Sequence, residues 1–153
     1  MDHAQLAETA QLVSTYNRDH DLGATMLDGG AIATWIGSVR GRVYALRAEA
    51  DIGALIHLRL SEIGWHTQTI ADDRTGGWYF LVRLDLHRET FLDHHRRLRS
   101  EPQSPISLSA PGNLLILPSP CNRGSRCWKE LPAGTGRLRM SAVLNIAEQM
   151  IPR

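Results

Sequence analysis

A chain of 153 residues has the length of one domain, and 42% hydrophobic with 22% charged residues is the composition of a globular protein rather than a disordered or fibrous one. No apolar run approaches the roughly 20 residues that cross a bilayer, so no membrane association is predicted. The first residues lack the basic and apolar regions of a secretory signal, and Cys121 and Cys127 fit a reducing compartment. We therefore expect a cytoplasmic protein.

The net charge of +1 hides an asymmetry along the chain. Residues 1–85 carry 7 basic and 11 acidic side chains, whereas residues 86–139 carry 9 and 4. Sixteen of the 17 basic residues are Arg, whose planar guanidinium suits phosphate and carboxylate groups, although a GC-rich genome produces the same bias. An anionic ligand is therefore one hypothesis, and it would bind the second half of the chain.

The first half of the chain predicts helices separated by strands. Apolar side chains at helical spacing predict a helix over residues 4–17. Residues 22–47 indicate three short strands, with a tight turn at the Asp-Gly-Gly of residues 28–30. A second helix is predicted over residues 52–63, because an Asp precedes it as a favourable N-cap and a Gly follows it as a stop. Its expected buried side chains are Leu55, Leu58 and Ile63.

The second half predicts two hairpins with a helix between them. Residues 65–70 and 78–84 lie on either side of a polar turn, which is typical of a hairpin. A helix is expected over residues 87–99, with Arg side chains near its C-terminus, where they suit the helix dipole. Residues 106–108 and 113–117 predict a second hairpin around an Ala-Pro-Gly turn.

The order of these elements predicts the fold class. A last helix is expected over residues 141–150, and residues 114–117 are apolar on both sides, which favours a central strand. Hairpins interleaved with helices predict an α+β fold, with a mostly antiparallel central sheet built from hairpins and helices packed on it. We expect one domain over residues 1–153.

Three motifs in this order resemble a known family. Residues 106–120 (ISLSAPGNLLILPSP) followed by residues 123–129 (RGSRCWK) are similar to a strand, Gly turn, apolar strand, Pro-Ser exit and basic loop. Residues 74–80 (RTGGWYF) are similar to a Ser/Thr-Gly-Gly-x-His-x-Tyr-Phe hairpin. Residues 41–49 (GRVYALRAE) align with a strand that would carry an Asp-x-Asp pair. Residues 33–150 thus resemble the primase–polymerase domain of the archaeo-eukaryotic primase superfamily, in its bifunctional DNA primase/polymerase form. The resemblance implies a primase–polymerase-like sheet.

The catalytic acids of that family are missing from the matching positions. The family's polymerisation relies on carboxylates that hold divalent metals against a nucleoside triphosphate. We interpret four positions as a vestigial active site, because they align with the family's Asp pair, His and third acid. They are Leu46, Ala48, Trp78 and Ser107. Glu49 and Asp51 lie nearby, but a slip of one residue turns a strand side chain to the opposite face. No catalytic residue is predicted, and the chain is more consistent with a non-enzyme.

The basic loop after the last predicted strand is the best candidate for phosphate binding. Arg123, Arg126 and Lys129 are interleaved with Trp128, so cations would grip phosphates while the indole stacks on a base. Arg74, in the polar turn of the first hairpin, is a further candidate. The alternative interpretation is a solvated turn with Trp128 packed inward.

Other chemistry has weaker support. Cys121 and Cys127 share this loop, with His94 and His95 one helix away, and two Cys with two His is a common zinc ligand set. The Cys spacing is wide and adjacent His side chains point to different faces, so ordinary thiols are favoured and neither a metal nor another cofactor is predicted. No Gly-x-Ser-x-Gly elbow, phosphate loop or dinucleotide fingerprint is present.

Three functions follow from this sequence. The favoured one is a non-catalytic primase–polymerase-like domain that binds DNA, RNA or a nucleotide in regulation or replication. The near-neutral charge favours an alternative, a protein-interaction or structural module, with a homodimer as one form and Val143, Ile146 and Met150 as an exposed interface. A small hydrolase with an unrecognised site is the second alternative.

Overall fold

The computed structural model describes residues 2–39 and 42–152. Within these ranges the chain forms four α-helices and nine strands, which confirms the α+β class. The elements are α1 (His3–His20), β1 (Thr25–Met26), β2 (Ile32–Trp35), β3 (Tyr44–Glu49), α2 (Ala50–Glu62), β4 (Thr69–Asp72), β5 (Gly77–Arg83), α3 (Arg88–Ser100), β6 (Ile106–Leu108), β7 (Leu114–Leu117), β8 (Arg126–Glu130), β9 (Leu138–Arg139) and α4 (Met140–Met150). None of these helices is long and apolar enough to cross a membrane.

The strands form a large and a small sheet. The large sheet has the antiparallel order β6-β3-β5-β4-β8, and β9 pairs parallel with the end of β5. The small sheet has the antiparallel order β1-β2-β7. The predicted hairpin of β4 and β5 is confirmed, with the register Thr69 to Phe80 and Asp72 to Gly77.

The two faces of the large sheet bury different layers. One face, called here the helix face, packs Leu46, Phe80 and Leu108 against α2, α3 and α4. The other, called the small-sheet face, packs Ala45, Leu81 and Ile70 against the small sheet and α1. Successive strand residues point to opposite faces, so the register of β3 decides which side chains enter which layer.

Helix α2 turns a different stripe inward from the one predicted. Its buried residues are Ile52, Gly53, Ile56 and Leu60. Leu55 and Leu58 were predicted to be buried and are exposed, whereas Ile63 packs partly against the core. The cause is the contact of Gly53 with Trp78: a β-carbon at position 53 would lie 2.7 Å from the Trp78 Cβ. The absent side chain lets the helix approach the sheet along this stripe.

We expect Gly53→Ala to lower the free energy of unfolding by up to about 2 kcal/mol. Alanine favours an isolated helix by about 1 kcal/mol, but crowding a packed core costs about 1–3 kcal/mol, and the Trp78 ring is attached rigidly at the clashing atom. Urea unfolding followed by circular dichroism measures the difference. Gly136→Ala is the control, because nothing lies within 4 Å of its added β-carbon. A Gly53→Ala protein more stable than the parent would contradict the close approach.

Strands β6 and β7 do not form the predicted hairpin. β6 pairs with β3 in the large sheet, and β7 pairs with β2 in the small one. The turn between them crosses from one sheet to the other: the Gly112 amide donates to the Ile36 carbonyl, and the Ile36 amide donates to the Asn113 carbonyl. The turn therefore bonds to the end of β2. β7 is an edge strand of its sheet rather than a central one, and it is apolar because Leu115 and Leu117 are buried between the two sheets.

The last helix lies in the core. Val143 and Ile146 are buried and Met150 packs partly against the same cluster beneath the large sheet. The prediction that these three side chains form an exposed interface is therefore wrong. The mechanism is amphipathic packing: the apolar stripe of α4 covers β3 and β5.

Candidate anion-binding groove

Three polar side chains line up across the small-sheet face of the large sheet. Arg47 in β3 is the register partner of Ser107 in β6 and of Tyr79 in β5. Residues directly opposite in antiparallel strands point to the same side. These three half-buried side chains therefore form a short row at the end of the sheet that the small sheet leaves uncovered.

The position of Arg47 depends on the glycine at position 77. A β-carbon on Gly77 would lie 2.7 Å from Nε of Arg47 and 2.8 Å from one of its terminal nitrogens. The guanidinium thus lies across the bare backbone of β5. Within the described residues Arg47 makes neither a hydrogen bond nor an ion pair. Its planar donors are therefore available to a ligand.

This row forms the floor of a groove of about 560 Å³ between β6 and the start of β7. Its polar lining comes from the floor, from the end of α3 and from the connection between β6 and β7: Arg47, Tyr79, His95, Arg99, Ser107, Ser109 and Asn113. Arg99 is exposed and, like Arg47, has no hydrogen bond or ion pair among the described residues. None of the described residues that line the groove is acidic. Two unpaired guanidinium groups therefore share one concave surface.

His95 is held in one orientation at the groove wall. Its Nδ1 lies 3.1 Å from the Leu108 carbonyl, and its ring stacks on Phe91 with a centroid distance of 6.0 Å. A carbonyl only accepts, so Nδ1 carries the proton and Nε2 is the ring nitrogen left for a ligand.

Arg126 lies beside this floor but is committed to the protein. It donates to Asp72 at 2.7 Å and to the Ile116 carbonyl, and its guanidinium lies 5.2 Å from the Tyr79 ring centroid. Burial raises the pKa of Asp72, but hydrogen bonds from Arg126, the Arg74 amide and Thr75, with the Arg126 charge, outweigh it and hold that pKa below its ordinary value. The ion pair joins β4 to β8, and the bond from Arg126 to the Ile116 carbonyl joins β8 to β7 of the small sheet.

The residues predicted from the basic loop do not form one surface. β8 is a strand, so its side chains alternate: Arg126 and Trp128 lie on the small-sheet face, while Lys129 reaches the helix face and lies 5.4 Å from the Trp78 ring centroid. Arg123 pairs with Glu8 of α1. Trp128 packs partly against the core beside α1.

Arg74 is exposed at the tip of the β4–β5 turn, where its amide donates to Asp72 at 3.0 Å. It does not line the groove formed by Arg47 and Arg99. The structure therefore places the four predicted cations and the predicted tryptophan at four separate locations, and the groove is a different site.

Trp128 is held by a chain of hydrogen bonds. Its Nε1 donates to the Tyr16 hydroxyl at 2.9 Å, and that hydroxyl donates to the Pro118 carbonyl at 2.6 Å. The two rings meet edge to face with centroids 5.7 Å apart. Burial raises the pKa of Tyr16, and the hydrogen bond from Trp128 opposes this only in part. Trp128 therefore joins α1 to the large sheet.

We expect Tyr16→Phe to lower the free energy of unfolding by about 1–3 kcal/mol, because it leaves a buried carbonyl and the indole N–H without a partner. Chemical unfolding measures this loss, and Ser14→Ala at an exposed position of α1 is the control. Ligand binding in the groove should be unchanged in the Tyr16→Phe variant. Weaker binding by folded Tyr16→Phe would show that Trp128 acts on the ligand.

The four vestigial positions do not meet at one site. Leu46, Ala48 and Trp78 lie on the helix face, whereas Ser107 lies on the small-sheet face. Glu49 shares a strand face with Arg47 but lies at the exposed end of β3, and the Asp51 carboxylate accepts from the Ile52 amide at the start of α2. Neither acid lines the groove.

The cysteines and histidines are also separate. Cys121 and Cys127 are exposed thiols, and the Cys121 sulfur lies 3.1 Å from the Ser119 hydroxyl. His94 contacts Arg97 and His95 faces the groove. In residues 2–39 and 42–152, no three His, Cys, Asp or Glu side chains are arranged to hold a metal ion.

Sequence reasoning missed Arg47 and Arg99. The signal for Arg47 was present in the alternation of β3, where it lies between Leu46 and Ala48 and so points away from them. Arg99 carried no comparable signal, because its approach to the groove depends on how α3 packs on β6.

No family model, curated protein or solved structure matches the chain.

Proposed function

We propose that this protein binds a nucleotide or nucleic acid through the groove and does not catalyse a reaction on it. The observation that carries the proposal is the pair of unpaired guanidinium groups, Arg47 and Arg99, in a concave surface without an acidic lining residue. Arginine is suited to phosphate because its planar donors match two oxygens at once.

The remaining lining residues favour a phosphate ester over an isolated small anion. Ser107 and Tyr79 supply hydroxyl donors beside Arg47, and the Asn113 amide supplies donors and acceptors on the opposite wall. Nucleotides offer several acceptor oxygens together with sugar and base groups. A groove rather than a closed pocket suits a ligand that extends beyond one phosphate.

We further propose that the chain is related to primase–polymerase domains. In that case the residues that match the family's site in β3 and β5 are displaced by one position from Leu46 and Trp78. Arg47 and Tyr79, rather than Leu46 and Trp78, share the face of Ser107. A cation, a phenol and an alcohol stand in this row, and such groups attract phosphate oxygens but do not ligate Mg²⁺ as carboxylates do. Binding without metal-dependent polymerisation is the chemistry that this row supports.

The direct test is equilibrium binding of the whole protein at low salt. Fluorescence anisotropy is measured with a labelled oligonucleotide and, separately, with fluorescently labelled ATP, so that either ligand is detected. We expect the logarithm of the binding constant to fall linearly with the logarithm of the salt concentration, because phosphate contacts release counterions. No binding of either ligand at low salt would contradict the proposal.

A further inference from the structure

An exposed tryptophan lies one strand away from the groove. Leu114 of β7 lines the groove, and its register partner in β2 is Trp35. Trp35 is 47% exposed and Leu114 is 40% exposed. Side chains directly opposite in an antiparallel pair are about 5 Å apart at their β-carbons. The indole is therefore next to the groove wall.

The orientation of Trp35 follows from the alternation along β2. Thr34 and Ile36, on either side of it, are buried, and Ile36 belongs to the core between the two sheets. Trp35 consequently lies on the outer face of the small sheet. Trp35 is about half exposed there, and its indole presents a flat apolar surface beside a cationic groove.

We infer that the groove and Trp35 together bind single-stranded nucleic acid, with a base stacked on Trp35 while neighbouring phosphates contact Arg47 and Arg99. This inference rests on the proposed function and names the ligand class for the same site. Proteins that bind single strands combine a cationic track with aromatic side chains on which bases stack.

The position of Trp35 selects among possible ligands. The indole lies outside the groove and across Leu114, so a ligand must extend beyond one nucleotide to reach both parts. Bases in a duplex already stack on each other and are not free to cover an indole. An acidic protein segment matches the two guanidinium groups through its carboxylates but offers no regularly spaced bases for the indole. A single strand of nucleic acid matches both parts, and the absence of acidic lining residues in the groove suits its negative charge.

The test compares Trp35→Ala with Trp65→Ala. Trp65 is 42% exposed, so it is a matched tryptophan, and it lies outside the groove. We expect Trp35→Ala to weaken binding of a short oligothymidylate by about tenfold, since base stacking on an aromatic residue contributes at this level. Trp65→Ala should bind like the parent protein, and Trp35→Phe should recover part of the loss. Thermal unfolding confirms that each variant is folded.

The ligands in the test separate the sources of the same chemistry. Oligothymidylate, oligouridylate and a DNA duplex are compared at one salt concentration, and ATP is used as a single nucleotide. Tighter binding of either single strand than of the duplex supports the inference. Equal ATP affinity of the parent and Trp35→Ala also supports it, because a single nucleotide would not reach the indole.

Equal oligonucleotide binding by the Trp35→Ala and Trp65→Ala variants would overturn the stacking role while leaving the groove intact. Equal or tighter binding of the duplex would overturn the preference for single strands. If the parent protein binds none of these ligands, the proposed function fails and this inference fails with it.

Discussion

Asp72→Asn is expected to lower the free energy of unfolding by about 3 kcal/mol, because breaking one partner of a buried ion pair leaves the other charge unpaired. The carboxylate and the Arg126 guanidinium are 7% and 12% exposed and lie 2.7 Å apart. Asp72 also accepts from the Arg74 amide and from Thr75. A loss of this size is a large fraction of the about 5–15 kcal/mol that stabilises a typical domain.

The same pair determines a dependence on pH. The pKa of Asp72 is lower in the folded protein than in the unfolded chain. Its contribution to stability is therefore complete above the ordinary carboxyl pKa of about 3.9 and is lost as the pH falls through the lower folded value. The difference in the free energy of unfolding between the parent and Asp72→Asn should therefore shrink as the pH falls through this range.

Urea unfolding at neutral and acid pH measures both effects. Asp73→Asn is the control, since Asp73 is the exposed neighbour of Asp72 in the same turn. Equal stability of Asp72→Asn and Asp73→Asn at neutral pH would show that the Asp72–Arg126 pair contributes nothing to the fold.

The second large effect is expected on binding. The double variant Arg47→Ala with Arg99→Ala should weaken single-strand binding by at least about 100-fold, because each charged hydrogen-bonding group contributes about 1.5–3 kcal/mol and about 1.4 kcal/mol is a factor of ten. The salt dependence should also fall, by about one unit of slope for each cation that contacts a phosphate.

A charge-matched control separates contact from net charge. Arg59→Ala with Arg96→Ala removes the same two charges from exposed positions of α2 and α3 that do not line the groove. This control should retain nearly all of the binding. A similar loss in both double variants would mean that the ligand responds to overall charge rather than to the groove. Gly77→Ala provides a third variant, which should weaken binding by displacing Arg47 without changing any charge.

Much of the fold was predictable because local patterns determine it. The α+β class, the β4–β5 hairpin and the last helix follow from periodicity and turn residues. The errors arose where a local pattern allows two tertiary outcomes. α2 has apolar residues around most of its surface, and the stripe that faces the sheet is the one that includes Gly53 in contact with Trp78, which leaves Leu55 outside.

The turn before β7 illustrates the same limit. An Ala-Pro-Gly turn serves a hairpin or a crossing between sheets equally well, and the choice depends on the bond from Gly112 to Ile36, more than 70 residues earlier in the chain. The residues that line the groove come from both before and after this crossing. Its residues therefore could not be brought together by reading neighbouring positions.

The central claim is that the ligand lies in the groove, and a heteronuclear NMR titration with oligothymidylate tests it most directly. We expect amide shifts to change in β3, β6 and the turn before β7, together with the indole signal of Trp35, while that of Trp65 stays unchanged. Changes centred on the loop of Arg123 to Lys129, or none at saturating ligand, would contradict the account.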